Sequence, residues 1–324
     1  MKIRLFLLIF SVLICCIGFK SERLYPTKNS TPASDSTALK NHVNELCKEN
    51  KFRNWRSISE LNRAGNYIFS EFKKHSTRVE KQIFEDKRNE YFNVICSFGP
   101  EDAPRLVIGA HYDVCGEQQG ADDNASGVSS ILELARMISQ IESSLKYRID
   151  LVAYTLEEPP FFRDFMMGSA VHARYLKSID ADVLGMISVE MIGYYSEEKR
   201  SQDYPIGLLK LFYPGKANYI SVVTKFGNGR FLRQIKKGLK TQKKRVKVRS
   251  IKAPASVPGI DFSDHMNYWN AGFDAAMITD TSFYRNKNYH ESTDIPETLN
   301  YKKMAAVTDG IFMFLLQRMV YFIP

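Results

Sequence analysis

Between Leu106 and Phe162 the chain sets metal-capable side chains at three separated points. An apolar run ends in His111-Tyr112-Asp113, a glycine-bounded loop carries Asp122-Asp123, and a second apolar run ends in the pair Glu157-Glu158. Imidazoles and carboxylates are ligands for zinc, and a carboxylate also serves as a general base. His111 and Asp113 are two residues apart, which on a strand puts both on one face, so Asp113 can take the second ring proton of a ligating His111. In Gly120-Ala121-Asp122-Asp123-Asn124-Ala125-Ser126-Gly127, helix capping accounts for one acidic residue. Two adjacent carboxylates between glycines are better explained by a cation, and Asp123 is the candidate to bridge two of them. Glu157 and Glu158 leave a strand toward opposite sides, so one can ligate while the other faces substrate as a base. Glu190 follows the apolar segment Leu184 to Val189, where a carboxylate is costly unless paired or metal-bound. Tyr289-His290 sits in an Asn- and Lys-rich loop after another apolar run. The expected chemistry is hydrolysis at a metal centre.

These residues need elements to place them. Residues 37 to 75 carry helical spacing, with Leu61, Ala64, Tyr67, Ile68 and Phe72 on one face. Val79 to Phe98 reads as a hairpin with a polar turn at Asp86-Lys87-Arg88-Asn89. Strands are expected at Leu106–Asp113, Arg148–Leu156, Val183–Tyr194, Tyr219–Phe226 and Asp274–Thr281. Helices are expected at Val128–Ser139, Gly168–Leu176, Arg230–Thr241 and from about Tyr301 to Met319. Strands alternating with helices predict an α/β fold: a three-layer α/β/α arrangement with a central mixed, mostly parallel sheet. The early hairpin makes one side of that sheet antiparallel. Metal-capable residues just past strand ends or at a helix start lie where open α/β sheets hold their sites. Residues 196–216 and 250–262, rich in Pro and Gly, read as loops rimming a cleft.

The formal net charge of +9 is concentrated in the run Lys236, Lys237, Lys240, Lys243, Lys244, Arg245, Lys247 and Arg249. A solvated helix face and the strand after it account for this run, and no nucleic-acid-binding motif accompanies it. At the N-terminus, Met1-Lys2-Ile3-Arg4 precedes an unbroken apolar run from Leu5 to Phe19. That run is on the order of 15 residues, the length of a signal core and short of the ~20 of a relaxed membrane span. Residues 1–20 are therefore expected to be a signal peptide or an N-terminal membrane anchor. Cys15 and Cys16 raise a lipoprotein signal, although Leu13-Ile14-Cys15 makes a poor lipobox. Residues 21–36, rich in Ser, Thr and Pro, read as a flexible tether, and 37–324 as one domain exported from the cytoplasm: secreted, periplasmic or membrane-tethered. The odd set Cys47, Cys96 and Cys115 leaves a free thiol. Cys115, close to His111, either lines the site or packs as a small buried hydrophobe.

The blocks HYD, GADDNASG, LEE, SVEMIGY, DFSDHMNYWNAGFDAAMITDT and NYHESTDIPETLNY follow one another between residues 90 and 315. In types and order they resemble the co-catalytic zinc aminopeptidase family, whose members include bacterial leucyl aminopeptidase, aminopeptidase Y and the glutamate carboxypeptidase II group. The resemblance implies a zinc exopeptidase, expected to be an aminopeptidase acting on peptide substrates, with two Zn2+ per chain. It implies that His111, Asp123 and Glu190 hold one zinc and that Asp123, Glu158 and His290 hold the other. Glu157 would be the general base, Asp113 would orient His111, and Tyr289 would stabilise the oxyanion. Glu190 departs from the aspartate many members have there, which puts that metal's occupancy in question. Asp264-His265 matches a further block and is read as the cleft wall or a support for the ligands. Two alternatives share the fold: a single-zinc glutaminyl cyclase, and a non-catalytic ectodomain. His111, Glu190 and the paired glutamates favour hydrolysis. Substrate preference and oligomeric state leave no readable mark.

Overall fold

Alternation along the strands decides the layering. Leu106, Ile108 and Ala110 pack into one apolar cluster while Val107 packs into another. Ile149, Leu151 and Ala153 part from Val152 and Tyr154 in the same way, as do Ile187 and Val189 from Met186. Strands buried on both faces need helices on both faces. The computed structural model describes residues 31–48, 51–86 and 89–320. Its strands are β1 (Val79–Asp86), β2 (Asn89–Phe98), β3 (Arg105–His111), β4 (Arg148–Tyr154), β5 (Val183–Glu190), β6 (Tyr219–Lys225), β7 (Lys247–Ala253) and β8 (Ala275–Thr279). Its helices among the described residues are α1 (Ser36–Leu46), α2 (Ile58–Lys73), α3 (Gly127–Ser139), α4 (Gly168–Ser178), α5 (Gly229–Lys240), α6 (His265–Ala271) and α7 (Tyr301–Arg318). Residues of α1, α2, α3, α5 and α7 share the first cluster, and those of α4 and α6 the second. The result is the expected three-layer α/β/α fold.

The sheet has eight strands in the order β1-β2-β4-β3-β5-β8-β6-β7. Pairings β4–β3, β3–β5, β5–β8 and β6–β7 are parallel. The hairpin makes its side antiparallel as read from sequence. A second antiparallel pairing, β6 with β8, was not legible. After β3 the chain crosses to β4 on one side, and after β4 it crosses back to β5 on the other. Strand order therefore reverses at β3, which opens a crevice beyond the carboxyl ends of these strands.

The basic run divides as expected. Phe231, Leu232, Ile235 and Leu239 bury one face of α5 and leave the lysines outward. Two differences from expectation lie here: β7 runs on to Ala253, into the segment 250–262, and beyond that segment a short helix, α6, begins at His265. Residues 1–30, the expected signal or anchor and most of the tether, lie outside the described residues, as do turn residues 87 and 88. At the tether's end, the Ser34 N–H donates to Asp309 Oδ1 at 2.8 Å and the Asp35 N–H to Glu133 Oε1 at 2.6 Å. Among the described residues no helix is long and apolar enough to cross a membrane.

One close approach ties this scaffold to the crevice. At Gly127, the first residue of α3, an added Cβ would lie 2.3 Å from the Val189 carbonyl oxygen and 2.4 Å from Asn124 Oδ1. Gly127→Ala is expected to destabilise the chain by about 1–3 kcal/mol, the cost of overpacking a filled interior. Urea unfolding measures this, and an unchanged midpoint would contradict the contact.

Candidate metal centre

The turn Ala121–Ser126 enters the crevice on left-handed Gly120, where an added Cβ would lie 2.3 Å from the Asp123 carbonyl. Asp123, presented by this turn, stands between two imidazoles. Its Oδ1 is 3.3 Å from His111 Nε2 and its Oδ2 is 3.3 Å from His290 Nε2. Glu190, the last residue of β5, brings Oε2 to 3.3 Å from the same His111 nitrogen. Glu158 Oε2 lies 3.1 Å from His290 Nε2, and Glu157 Oε2 lies 3.9 Å from His111 Nε2. Donor atoms of His111, Glu157 and Glu158 also lie within 4.8 Å of one another, so both glutamates beyond β4 reach the centre. Donor atoms of His111, Asp123 and Glu190 all lie within 4.8 Å of one another, and His290 Nε2 faces both Asp123 and Glu158, so one carboxylate stands between the two imidazoles. Tyr289 stacks on His290 with centroids 3.8 Å apart.

Asp113 lies beside His111, with Oδ1 3.5 Å from Nδ1. It also does something the sequence did not show. Its two oxygens accept the backbone N–H groups of Glu157 at 3.1 Å and Glu158 at 3.0 Å, fastening the glutamate turn to β3. Asp294 does the same for the ligand loop, accepting the N–H groups of Asp122 at 2.9 Å and Asp123 at 3.0 Å. Asp122 turns away from the centre: it accepts from the Gly193 N–H and from Asn286 Nδ2, both at 2.8 Å. Buried Arg53 donates to the carbonyls of Tyr112, Gln119 and Gly120. Glu190 Oε2 accepts from Ser263 Oγ at 2.8 Å and Asn124 Nδ2 at 3.3 Å, so the longer side chain is held at the centre. Asp264 is fully buried, and neither of its oxygens has a hydrogen-bond partner. His265 is a packing residue, with Nε2 2.8 Å from the Ile260 carbonyl and its ring edge-on to Trp269.

Charge makes this centre costly as bare protein. Burial pushes the Glu158 carboxyl up to about 8, with the Asp123 charge adding to the rise. Burial also holds Glu157 well above the usual carboxylate range, partly offset by His111, and raises Glu190. Burial alone would depress both imidazoliums. The carboxylates overrule it, lifting His290 to about 10 and His111 well above its ordinary value. Asp123, despite burial, is driven below its usual range by the two histidines that face it. Glu158 Oε1, His111 Nδ1 and His290 Nε2 are buried atoms without a hydrogen-bond partner. Excess buried negative charge and orphaned donors of the N,O type suit a divalent cation such as zinc.

A cavity of about 230 Å³ opens onto the centre. Asp123, Glu157, Glu158, Glu190 and His290 line its floor. Phe162, Tyr204, Tyr219, Phe262, Phe283 and Tyr289 line its wall. Among the described residues no Lys or Arg lines it. Tyr204, Tyr213 and Phe262 come from the segments expected to rim a cleft.

Over 322 residues the chain is 40% identical to the uncharacterized protein YfbL of Escherichia coli (strain K12), covering 96% of this chain and 97% of that one. It is 24% identical to a probable leucine aminopeptidase of Arthroderma otae, covering 89% and 77%. Its fold is shared with the Legionella pneumophila LapA aminopeptidase at a TM-score of 0.69 and 20% identity, covering 89% and 72%. It is also shared with a Porphyromonas gingivalis glutaminyl cyclase at a TM-score of 0.65 and 18% identity, covering 88% and 99%. Residues 93–315 match peptidase family M28, so the chain belongs to that family and is a metallopeptidase.

Proposed function

We propose that the chain is a zinc-dependent exopeptidase that removes residues from the free amino end of peptides. The observation that carries this reading is the pair of donor groups joined through Asp123, with Glu157 beside them on the cavity floor. His111, Asp123 and Glu190 would hold one zinc, and Asp123, Glu158 and His290 the other. When bound, zinc supplies Lewis acidity that polarises the scissile carbonyl and makes water a stronger acid. Glu157 takes the proton of the attacking water at Oε2 and passes it to the leaving amine. Burial raises its proton affinity, which suits a group that accepts a proton and then returns it. Tyr289, whose phenol burial keeps protonated, donates a hydrogen bond to the developing oxyanion. Asp113 positions Glu157 and Glu158 through their backbones and orients His111.

The cavity lining supports the amino end. A C-terminal carboxylate is usually received by a cationic side chain, and the described lining has none. A terminal ammonium instead meets the carboxylates of the floor. The glutaminyl cyclase reading shares only the fold, and His111, Glu190 and the Glu157–Glu158 pair favour hydrolysis. Residues 1–20 as signal or anchor, 21–36 as tether and 37–324 as the peptidase domain, held outside the cytoplasm, remain part of this proposal. They rest on the apolar run from Leu5 to Phe19.

Aminoacyl anilides with a free amino group are expected to be cleaved and their N-acetyl counterparts left intact. Equal cleavage of both would contradict the amino-end reading, and ammonia release from N-terminal glutaminyl peptides without hydrolysis would favour the cyclase. Glu157→Gln should keep its zinc by elemental analysis yet lose about 10²–10⁴-fold in kcat, the usual share of a general base. Unchanged turnover would remove Glu157 from that role. His290→Ala should instead lose zinc, and a full complement in that variant would refute the ligand assignment.

Stability against pH tests whether the charge cluster awaits a cation. Glu158 titrates near 8 in the metal-free fold against an ordinary value of 4.5, and His290 near 10 against 6.5. Both protons are retained by the fold after the unfolded chain has lost them. The Glu158 contribution is therefore complete below pH 4.5 and lost as pH rises through 8, and the His290 contribution is complete below 6.5 and lost through 10. Denaturant midpoints of chelated protein should fall, relative to zinc-loaded protein, as pH rises from about 5 to 9. A gap that narrows with pH would contradict this.

A further inference from the structure

Cys115 has no task in the proposed reaction. It is a free, half-buried thiol in the segment between β3 and the ligand loop. Its Sγ, a Glu158 carboxylate oxygen and a His290 ring nitrogen all lie within 4.8 Å of one another. The other two members are incompletely satisfied. Glu158 is only 4% exposed, and its Oε1 is buried without a hydrogen-bond partner; His290 Nε2 also lacks one. Sulfur, nitrogen and oxygen donors thus converge on one point. Two zinc bonds of about 2.0–2.3 Å reach across about 4 Å, so this group is close to the span of a shared ion.

We propose that Cys115 is a sulfur ligand of the cation held by Glu158 and His290. The inference rests on the two-cation reading above and adds an asymmetry to it. Counting Asp123, whose Oδ2 is 3.3 Å from His290 Nε2, the second position would then have four protein donors, the number of a closed site, whereas His111, Asp123 and Glu190 would give the first position three, the number of an open one. Binding forms the metal–sulfur bond and releases the thiol proton to solvent. A soft thiolate biases the second position toward zinc, cobalt or cadmium and away from magnesium or manganese, which the all N,O first position does not enforce as strongly. The Lewis-acid work on the substrate then falls mainly to the first position.

Cobalt(II) reports sulfur ligation directly. Metal-depleted full-length chain titrated with cobalt should bind two ions, and one of them should bring a near-ultraviolet sulfur-to-cobalt charge-transfer band. Cys115→Ser should lose that band and bind one of the two ions at least about tenfold more weakly, the lower end of what loss of even an outer partner costs. Cys47→Ser and Cys96→Ser should keep the band. Alkylation of Cys115 in the unsubstituted chain, followed by mass spectrometry of its peptide, should be slowed by zinc, a readout that does not depend on the variant folding. Two bound cobalt ions with no charge-transfer band, or alkylation indifferent to zinc, would overturn the sulfur ligand and leave the two-cation reading standing. Fewer than two bound ions would overturn that reading and this inference together.

Discussion

Asp123 faces two imidazoles at once, and much of the crevice is arranged to hold it there. Its carboxylate is buried among Glu157, Glu158 and Glu190, which repel it and each other. Two histidines are too few to neutralise the set, so the bare cluster holds protons that exposed carboxylates would have lost. Such a cluster stays together only because backbone and side-chain bonds outside it fix its members. Asp294 fixes the ligand loop, Asp113 the glutamate turn, and Ser263 with Asn124 the Glu190 carboxylate. These supports join segments far apart in the chain, so the centre exists only in the completed fold.

The topology explains why the centre lies where it does. Reversal of strand order at β3 leaves the ends of β3, β4 and β5 facing a common crevice, and each contributes a ligand or the residues just beyond it. Strand ends give the donors a rigid base. The cavity wall comes from a different source, the loops that carry Phe162, Tyr204, Phe262 and Phe283. The chemistry therefore sits on the sheet, and the selection of substrate side chains sits on segments that can vary without disturbing it.

Residues with a local signature could be read from the sequence. A carboxylate at the end of an apolar strand, as at Glu190, carries its own cost and so announces a partner. The doublets Asp122-Asp123 and Glu157-Glu158 were visible because adjacency on a strand or at a helix start fixes relative direction. Asp294, Asp280 and Arg53 were not visible, because each acts on backbone or side chains far away in sequence. Asp294, for example, reaches back 172 residues to Asp122. Asp280 lies in the DAAMITDT block and accepts the Tyr194 N–H, which only the folded β5–β8 pairing makes meaningful. The helix α6 is too short to show a period, and the insertion of β8 between β5 and β6 is a long-range choice that strand patterns do not encode. Alternation, by contrast, was enough to predict the three layers.

The most direct test of the shared-carboxylate centre is the zinc stoichiometry of the purified chain and of Asp123→Asn, measured by elemental analysis after exhaustive dialysis. The account predicts close to two zinc ions per chain and the loss of both on replacing the one carboxylate the two donor groups share. Retention of two ions in Asp123→Asn, or a single ion in the unaltered chain, would contradict it.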